Sequence, residues 1–362
     1  MNFKPNFEIT PQIAKSLMAI EASREKIDAL PVTAAMLASL RESARLIATH
    51  YSTQIEGNRL TLPEVEEVIA GDRHFKGRER DETEVRNYYR ALNYVESIAG
   101  NETPFKEKEL QIIHGLVMEG KQHGSAYRDG QNVIRDSVSR NIVYMPPEAP
   151  DVPIMMKALV DWLNMRVEKD DLPIPAIAAL AHYQFATIHP YYDGNGRTAR
   201  LLTNLILHRL GYGLKGVYSL DEYYAQDLPA YYEALTVGDN HNYYEGGRET
   251  ASLTPFLAYF LEGVKNAFNA VQLRAAQGKK EGAPDQSKLL RKLDAGQRKA
   301  LELFKDHEVI AAKDLSGYLK ISERASRDLC MKWVDEGFLQ IENPSKKARS
   351  YRLSPKHEAL VS

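Results

Sequence analysis

HPYYDGNGRTAR, at positions 189–200, stands between two stretches in which apolar residues recur with helical spacing. Gly194 and Gly196 allow backbone conformations that other residues avoid, so consecutive N–H groups can turn toward a single anion. The helix that follows would add the positive end of its dipole. This stretch therefore predicts a phosphate-binding loop between two helices.

Four ionisable side chains in the same stretch suit phosphate chemistry. Arg197 and Arg200 are three residues apart at the start of a helix, so both guanidinium groups can bind one polyphosphate. Asp193 offers a carboxylate oxygen to a Mg²⁺ ion that phosphates already hold. His189, whose ordinary pKa is about 6.5, can remove a proton from a hydroxyl group near neutral pH. The stretch combines a candidate base, a candidate metal ligand and an anion site.

Most of the remaining chain has helical periodicity, which predicts a mainly α fold. Helices are expected over much of residues 10–93 and at 154–165, 175–188, 198–210 and 254–272. NVIRDSVSRNIV, at positions 132–143, differs because β-branched residues surround a polar centre, a pattern typical of a short hairpin. The predicted fold is a helical bundle that carries a β-hairpin flap.

A second domain is expected after AAQGKKEGAPDQ, positions 275–286, whose small and polar composition is that of a linker. Three helices at 297–304, 312–319 and 322–336 and a hairpin at 338–353 follow in the order of a winged helix-turn-helix domain. The predicted organisation is an N-terminal helical region at 1–95, a central core at 96–274, the linker, and the winged helix at 287–362.

The composition is that of a globular protein. Lys and Arg number 47 against 49 Asp and Glu, and 43% of the residues are hydrophobic, which excludes wholesale disorder and a uniformly basic nucleic-acid coat. Cys330 is the single cysteine, so no intrachain disulfide can form. No secretion signal and no apolar stretch of about 18 residues is present. We expect a cytoplasmic protein that does not span a membrane.

The loop resembles the signature of the Fic family, His-x-Phe-x-Asp/Glu-Gly-Asn-Gly-Arg-x-x-Arg. Every polar position matches, and the departure is Tyr191, where the family usually has Phe. Because that ring normally packs into the core, a tyrosine there requires a partner for its hydroxyl group. The resemblance extends from about residue 51 to about residue 262, and it includes Gly-Ser-Ala-Tyr-Arg at 124–128. The fold it implies is a Fic-type helical bundle.

The activity that the resemblance implies is transfer of a nucleoside monophosphate, usually AMP from ATP, to a hydroxyl side chain of a protein. His189 would be the general base for the target Tyr, Ser or Thr, and Asp193 would hold Mg²⁺. The remaining matched positions would bind phosphates, namely the α- and β-phosphates at Gly194, Asn195 and Gly196 and the β- and γ-phosphates at Arg197 and Arg200.

The flap offers a docking edge for a protein substrate. An extended target segment can add a strand to a hairpin edge and present its hydroxyl group at a fixed register. The docking candidates are Val133, Ile134, Ile142 and Val143. The partners expected are therefore ATP and an unknown target protein, which could also be this chain itself.

STQIEGN, at positions 52–58, resembles the inhibitory motif of the same family, Ser/Thr-x-x-x-Glu-Gly/Asn, in its N-terminal position. Glu56 could form a bidentate pair with Arg200 and occupy the guanidinium that would otherwise hold the γ-phosphate. Ser52 lies one helical turn earlier and could hydrogen-bond across the same face. These residues predict an autoinhibited enzyme. The same residue set also permits the reverse reaction, in which water attacks the AMP ester.

Charge is segregated toward the C-terminus. Residues 286–362 contain 16 Lys and Arg against 11 Asp and Glu, a local balance of +5 that leaves −7 for the rest. The basic positions lie on the third predicted helix and in the wing: Arg324, Arg327 and Lys332 beside Ser322, then Lys346, Lys347, Arg349 and Arg352. DNA contact and protein contact, including a homodimer, are both consistent with this charge.

Several alternatives stay open at this point. The chain could be a transcription regulator that binds DNA and senses a nucleotide without turning it over. The transferred group could instead be UMP or phosphocholine, because the signature binds phosphates and not the base. Tyrosines between Tyr218 and Tyr244 could stack on a base or be modified themselves. A zinc site at His182 and His189 is weaker, since seven residues of separation without a cysteine is no recognised ligand spacing.

Overall fold

The computed structural model describes residues 3–29, 34–101, 104–135, 141–238, 241–244, 247–277, 293–319, 321–345, 349–358 and 360. It divides into two compact units. The larger unit contains residues 1–31 and 39–278, and the smaller contains residues 32–38 and 279–362. Within the described part, no helix has an apolar stretch long enough to cross a bilayer.

The larger unit is helical, which confirms the predicted mainly α class. Its helices are α1 (Pro11–Asp28), α2 (Ala34–Ile55), α3 (Leu62–Ala70), α4 (Glu79–Ala99), α5 (Glu107–Glu119), α6 (Val152–Lys169), α7 (Ile174–Ile188), α8 (Asn195–Arg209), α9 (Asp221–Gln226), α10 (Leu228–Leu235) and α11 (Thr254–Gln277). The boundary predicted between residues 95 and 96 falls inside α4. Helix α11 continues three residues into the predicted linker, and residues 278–286 lie outside the described part.

Helix α7 forms the centre of the larger unit. Its sequence, IPAIAALAHYQFATI, is apolar on every side, and nearly all of its side chains are buried. A helix that is apolar all round must be enclosed by other elements, and α6, α8 and α11 pack against it. This enclosure fixes the end of α7, where the loop of residues 189–194 begins, within the core.

The flap is an antiparallel hairpin, as predicted. Strand β1 (Ile134–Arg135) pairs with β2 (Ile142–Tyr144), with Ile134 opposite Tyr144 and Arg135 opposite Ile142. Residues 136–140, the polar centre of the predicted hairpin, lie outside the described part. The flap is anchored by Tyr144, which is buried and donates a hydrogen bond to the carbonyl oxygen of Thr187 in α7 over 2.8 Å.

The smaller unit contains the three predicted helices and the predicted hairpin. Its elements are α12 (Ala295–Asp306), β3 (Ile310–Ala311), α13 (Ala312–Leu319), α14 (Glu323–Asp335), β4 (Leu339–Asn343), β5 (Ser350–Leu353) and α15 (Pro355–Glu358). The strands form an antiparallel sheet in the order β3-β5-β4. Trp333, Phe338 and the free thiol of Cys330 are buried in its core. The assignment of this unit as a winged helix stays a prediction.

Candidate active site

His189 is placed by the end of α7. It has a left-handed backbone conformation (φ 50°, ψ 59°), and its N–H donates to the carbonyl oxygen of Phe185 over 3.1 Å. Burial lowers the pKa of His189 to about 4, with further lowering by the nearby Arg128 and Arg248 and an opposing effect of Glu56. Burial therefore places the pKa of His189 below the ordinary value assumed from the sequence. The imidazole is neutral at pH 7, which is the form that accepts a proton.

The loop after His189 is held in shape by Asn195. The Asn195 side chain accepts a hydrogen bond from the N–H of Tyr191 (3.0 Å) and donates one to the carbonyl oxygen of the same residue (2.8 Å). Both ends of this amide are thus used by the loop itself. If Asn195 binds a phosphate, the contact is therefore made by its backbone N–H. This group lies at the start of α8, where the helix dipole favours an anion.

A Cβ at either glycine of the loop would meet the end of a nearby side chain. Gly194 has a φ of +74°, and a Cβ there would lie 2.6 Å from the sulfur of Met118. Gly196 has an ordinary helical backbone, but a Cβ there would lie 2.5 Å from Oε1 of Glu56. The Glu56 carboxylate therefore lies directly against the first turn of α8. A side chain at position 196 would have to displace this carboxylate.

Asp193 and Arg197 lie on the outer side of the same turn. Asp193 Oδ1 accepts a hydrogen bond from the N–H of Gly194 over 2.6 Å and lies 3.4 Å from Nη2 of Arg197. The Asp193 side chain is 57% exposed, whereas that of Arg197 is only 4% exposed. An accessible carboxylate thus stands beside a buried cation at the helix N-terminus.

Arg200 is the most enclosed cation of the site, with 2% of its side chain exposed. Its Nη2 lies 2.9 Å from Oε1 of Glu56, so the predicted pair is present. The pair is not bidentate, however, because only Nη2 contacts Glu56. Ser52 binds the same guanidinium group: Nε donates to Ser52 Oγ (2.7 Å), and Nη2 also donates to the Ser52 carbonyl oxygen (2.9 Å). Ser52 therefore binds the guanidinium group of Arg200 through both its hydroxyl group and its carbonyl oxygen.

A second carboxylate lies beside the guanidinium group of Arg200. Asp221, at the start of α9, is 1% exposed and has its Oδ1 3.3 Å from Nε of Arg200. Tyr88 of α4 donates a hydrogen bond to the same oxygen over 3.3 Å. Burial raises the pKa of Asp221, and the charge of Arg200 opposes that shift. Sequence reasoning missed Asp221, because no local motif marks a carboxylate that only packing brings to the arginine.

Burial and hydrogen bonding also bear on the possible zinc site at His182 and on the tyrosines between Tyr218 and Tyr244. His182 has both ring nitrogens hydrogen-bonded, Nδ1 with Thr203 Oγ1 (2.9 Å) and Nε2 with the Tyr231 hydroxyl (3.0 Å), so no nitrogen is left to bind zinc. Within the described residues no group of three or more metal-ligating side chains comes together. The tyrosines 218, 224, 231 and 243 are buried in the core, while Tyr232 is 49% exposed.

The flap presents apolar side chains to solvent. Ile142 is 37% exposed and Val143 is 38% exposed, while Val133 and Ile134 are half-buried. Branched side chains on a two-stranded ribbon are suited to pair with a further strand. The side chains of Ile142 and Val143 are therefore accessible, whereas the backbone on the β2 side is already hydrogen-bonded, with the carbonyl oxygen of Val143 bound to His241 and the N–H of Met145 donating to the carbonyl oxygen of His241. Their role in docking stays a prediction.

Comparison with known proteins agrees with this geometry. Residues 104–207 match the model of the Fic/DOC family. The chain contains a Fic/DOC domain. The matched segment runs from the residues before α5 into α8, so it includes the flap and the loop from His189 to Arg200. Glu56 and Asp221 lie outside the matched segment.

The relatives with curated names extend the likeness beyond the Fic/DOC domain. The protein adenylyltransferase Fic of Drosophila willistoni is 30% identical over 203 residues, which are 55% of this chain and 39% of that protein. The protein of the same name from Drosophila virilis is also 30% identical, over 55% of this chain and 40% of its own. The match thus spans about two fifths of the length of these relatives.

Solved structures share the fold. A Fic family protein from Desulfovibrio desulfuricans G20 has a TM-score of 0.63 at 24% identity and covers 98% of this chain and 99% of its own. A Fic-domain-containing signaling protein from Bacteroides thetaiotaomicron VPI-5482 has a TM-score of 0.62 at 22% identity, over 74% of this chain and 100% of its own.

Tyr191 is an unusual feature of this Fic/DOC domain. It is 2% exposed, and its ring stacks on that of His114 with centroids 3.5 Å apart and planes at 10°. The expected partner for its hydroxyl group is not found among the described residues. His114 uses Nε2 for a 2.9 Å hydrogen bond with the carbonyl oxygen of Asp193. The Tyr191 ring therefore supports the loop by stacking on His114. The Tyr191 hydroxyl group is a buried polar group without a hydrogen-bond partner among the described residues.

Tyr191→Phe is expected to stabilise the Fic/DOC domain by about 1 kcal/mol, because it removes a buried hydroxyl group that makes no hydrogen bond. Urea unfolding of both proteins measures the change. Tyr127→Phe is the matched control: its hydroxyl group donates to Glu107 over 2.9 Å, so the same change there should destabilise. A loss of stability in Tyr191→Phe equal to that in the control would contradict this expectation.

Proposed function

We propose that this chain is a protein adenylyltransferase that moves AMP from ATP to a hydroxyl side chain of a target protein. The supporting observation is the Glu56 carboxylate, which lies 2.9 Å from Arg200 and against Gly196. An anion already occupies the site that the loop and the helix dipole provide for a phosphate. The name of the Drosophila relatives, protein adenylyltransferase Fic, supports the same reaction.

In the proposed mechanism, the acceptor hydroxyl oxygen attacks the α-phosphorus of ATP while neutral His189 takes its proton. The new bond joins that oxygen to phosphorus, the bond from the α-phosphorus to the bridging oxygen breaks, and pyrophosphate leaves. The backbone of Gly194–Gly196 holds the α- and β-phosphates, and Arg197 and Arg200 neutralise the β- and γ-phosphates. Orientation and charge stabilisation supply most of the rate enhancement in such a transfer.

Asp193 is the proposed ligand for Mg²⁺. Its side chain is accessible at the phosphate end of the loop, and Mg²⁺ in nucleotide sites is commonly held by one or two carboxylates together with substrate phosphates. The single carboxylate at this position fits that kind of site. The ion would neutralise charge on the phosphates.

The inhibitory role of Glu56 follows from the same contacts. While Glu56 is bound to Arg200, the γ-phosphate cannot use that guanidinium. Glu56 follows the last residue of α2, and Gly57 ends the helix with a φ of +93°. Asn58 fixes the next residues by donating to the carbonyl oxygen of Asp81 over 2.9 Å. Release of the brake therefore requires movement of a short, well-defined helix end.

The proposal is tested by incubating the purified protein and its Glu56→Gly and His189→Ala variants with a cell lysate and labelled nucleotides. Relative to a lysate-only control, we expect the protein to add labelling from ATP labelled at the α-phosphate and to add none from ATP labelled at the γ-phosphate. The added labelling should be strongest with Glu56→Gly and lost with His189→Ala. Labelling from UTP alone would show another donor. Binding of ATP without any labelled protein would favour a nucleotide sensor.

The pH dependence of transfer is expected to follow the neutral form of His189. Because burial lowers the pKa of His189 to about 4, the base stays unprotonated at neutral pH and loses activity only as the pH falls toward that value. Measuring kcat/KM against pH for Glu56→Gly tests this. An acid limb centred on the ordinary histidine pKa of about 6.5 would contradict it.

The smaller unit is assigned as a winged helix that contacts protein in preference to DNA. Basic side chains on α14 and the hairpin pair with carboxylates: Arg327 with Glu323 (2.9 Å), Lys332 with Glu336 (3.5 Å) and Arg352 with Glu342 (3.2 Å). These pairs reduce the positive field that attracts phosphates. The wing-tip residues Lys346 and Lys347 lie outside the described part.

Duplex DNA is therefore expected to bind the full chain weakly or not at all, even at low salt. Fluorescence anisotropy with a labelled duplex, repeated over a salt series, measures the affinity. Tight binding that falls steeply with salt would instead assign the smaller unit to DNA and revive the transcription-regulator alternative.

A further inference from the structure

Arg128 connects three separate segments around the site. Its Nε donates to the carbonyl oxygen of His189 over 3.0 Å, Nη1 to that of Gly130 over 3.0 Å, and Nη2 to that of Pro147. Its backbone N–H donates to the carbonyl oxygen of Pro190 over 2.9 Å. Gly130 precedes β1 and Pro147 follows β2, so one guanidinium holds both ends of the flap and the residue proposed as the base.

The chemical surroundings of Arg128 are unusual for a buried cation. The residue is 3% exposed, and no carboxylate lies within ion-pair distance of it among the described residues. Its side chain is instead satisfied by carbonyl oxygens from three segments. The planar fork of an arginine suits such a task, because its donors point in fixed directions. Arg128 therefore fixes the positions of three backbone segments relative to one another and does not serve as a partner for a charged side chain.

Tyr192 makes a second link between the same segments. Its hydroxyl group accepts a hydrogen bond from the N–H of Gly130 over 2.9 Å and donates to Asp129 over 2.7 Å. Asn132 adds a third contact by donating to the carbonyl oxygen of Tyr191 over 3.2 Å. Tyr192 is 60% exposed, so its contacts are made at the surface and can be removed without opening the core.

His189 itself needs such support. Its left-handed backbone (φ 50°) is disfavoured for a residue with a Cβ and persists only where surrounding contacts hold it. The contacts of Arg128 with the carbonyl oxygens of His189 and Pro190 are among these. The flap and the imidazole are therefore held in place through one side chain.

We propose that Arg128 is a positioning residue that fixes the flap relative to His189, with Tyr192 as a second link, and so determines where the acceptor hydroxyl group lies. This inference rests on the proposed function. A target segment paired with the flap can present its hydroxyl group to the imidazole only if the distance between flap and imidazole is constant. None of the described contacts of Arg128 reaches the Gly194–Arg200 segment proposed to hold ATP, so its loss should affect the acceptor and spare the nucleotide.

The test uses the full chain with Glu56→Gly as the parent and compares Arg128→Met, Arg128→Lys and Tyr192→Phe. Arg209→Met and Arg209→Lys are the controls, because the Arg209 side chain is also enclosed, with 3% exposed, but binds Glu109 and the carbonyl oxygen of Ile98. Kinetics use the purified acceptor that the labelling panel identifies. Calorimetry gives the ATP affinity, and hydrogen exchange reports on residues 129–132 and 190–193.

We expect Arg128→Met to lower kcat by about 10- to 100-fold, the effect of a misplaced reacting group, with ATP affinity unchanged and the acceptor KM changed less than kcat. Arg128→Lys should recover part of the loss. Tyr192→Phe removes both hydrogen bonds of an exposed hydroxyl group and should lower kcat by about 2- to 10-fold. Exchange should rise in both segments for the Arg128 variants and not for the Arg209 variants.

Parental kcat in Arg128→Met, or equal losses of kcat in the Arg128 and Arg209 variants, would overturn the inference. Unchanged exchange in both segments would overturn it as well, and that measurement needs no acceptor. Absence of any labelling by the Glu56→Gly parent would count against the proposed function, while the exchange result would still decide whether Arg128 links the flap to the loop.

Discussion

Replacing His189 with alanine is expected to reduce AMP transfer by about 10²- to 10⁴-fold, the usual contribution of a positioned general base. The reason is that no other described side chain of the loop offers a basic nitrogen that is unprotonated at pH 7: the remaining ionisable groups are Asp193, two arginines and two tyrosines. The measurement is the rate of label transfer from α-labelled ATP in the Glu56→Gly background, where the parent rate is high enough to show the loss.

The control for His189→Ala is ATP binding by calorimetry. Because the phosphates are assigned to the backbone of Gly194–Gly196 and to Arg197 and Arg200, the affinity for ATP should persist when the imidazole is removed. A variant that loses ATP binding and transfer together would indicate damage to the loop. A variant that transfers AMP at the parent rate would remove His189 from the mechanism.

Glu56→Gly is expected to raise transfer by about 10- to 100-fold, the effect of removing one hydrogen bond between charged groups. The carboxylate leaves the first turn of α8, and Nη2 of Arg200 becomes available to the γ-phosphate. Arg200 should not be left as an unpaired buried charge, since Asp221 lies 3.3 Å from its Nε. The variant is therefore expected to fold, which thermal unfolding can verify beside the transfer rate.

Two controls separate charge from flexibility in this experiment. Gln54→Gly places a glycine in the same last turn of α2 at an exposed position, so it should leave the transfer rate at the wild-type level. Glu56→Gln keeps the size of the side chain and removes its charge, and should give an intermediate rate. Equal activation by Gln54→Gly and Glu56→Gly would show that loosening the helix end, and not loss of the carboxylate, relieves inhibition.

Local features of the site were predictable because each is written in neighbouring residues. The glycines at 194 and 196, the arginines one turn apart and the apolar pattern of α7 give the loop, its anion site and its place at a helix end. The pairing of Glu56 with Arg200 also followed, although it came from a resemblance and not from spacing. Apart from that pair, whose residues lie 144 positions apart, these predictions needed no knowledge of how distant segments pack.

The features that were missed all depend on packing. Asp221 lies next to Arg200 only because packing brings the start of α9 beside α8. Arg128 contacts both ends of the flap because three segments lie around its side chain. The pKa of His189 depends on how deeply the end of α7 is enclosed. Strand β3 has two residues, too few for a periodic pattern to reveal.

The position of Asp221 has a consequence for how the protein can be switched. Arg200 keeps a permanent counter-ion in the core, so displacing Glu56 by a nucleotide replaces one anion with another and creates no bare charge inside the protein. Under the proposed function, release of Glu56 therefore leaves Arg200 with a carboxylate partner in the core.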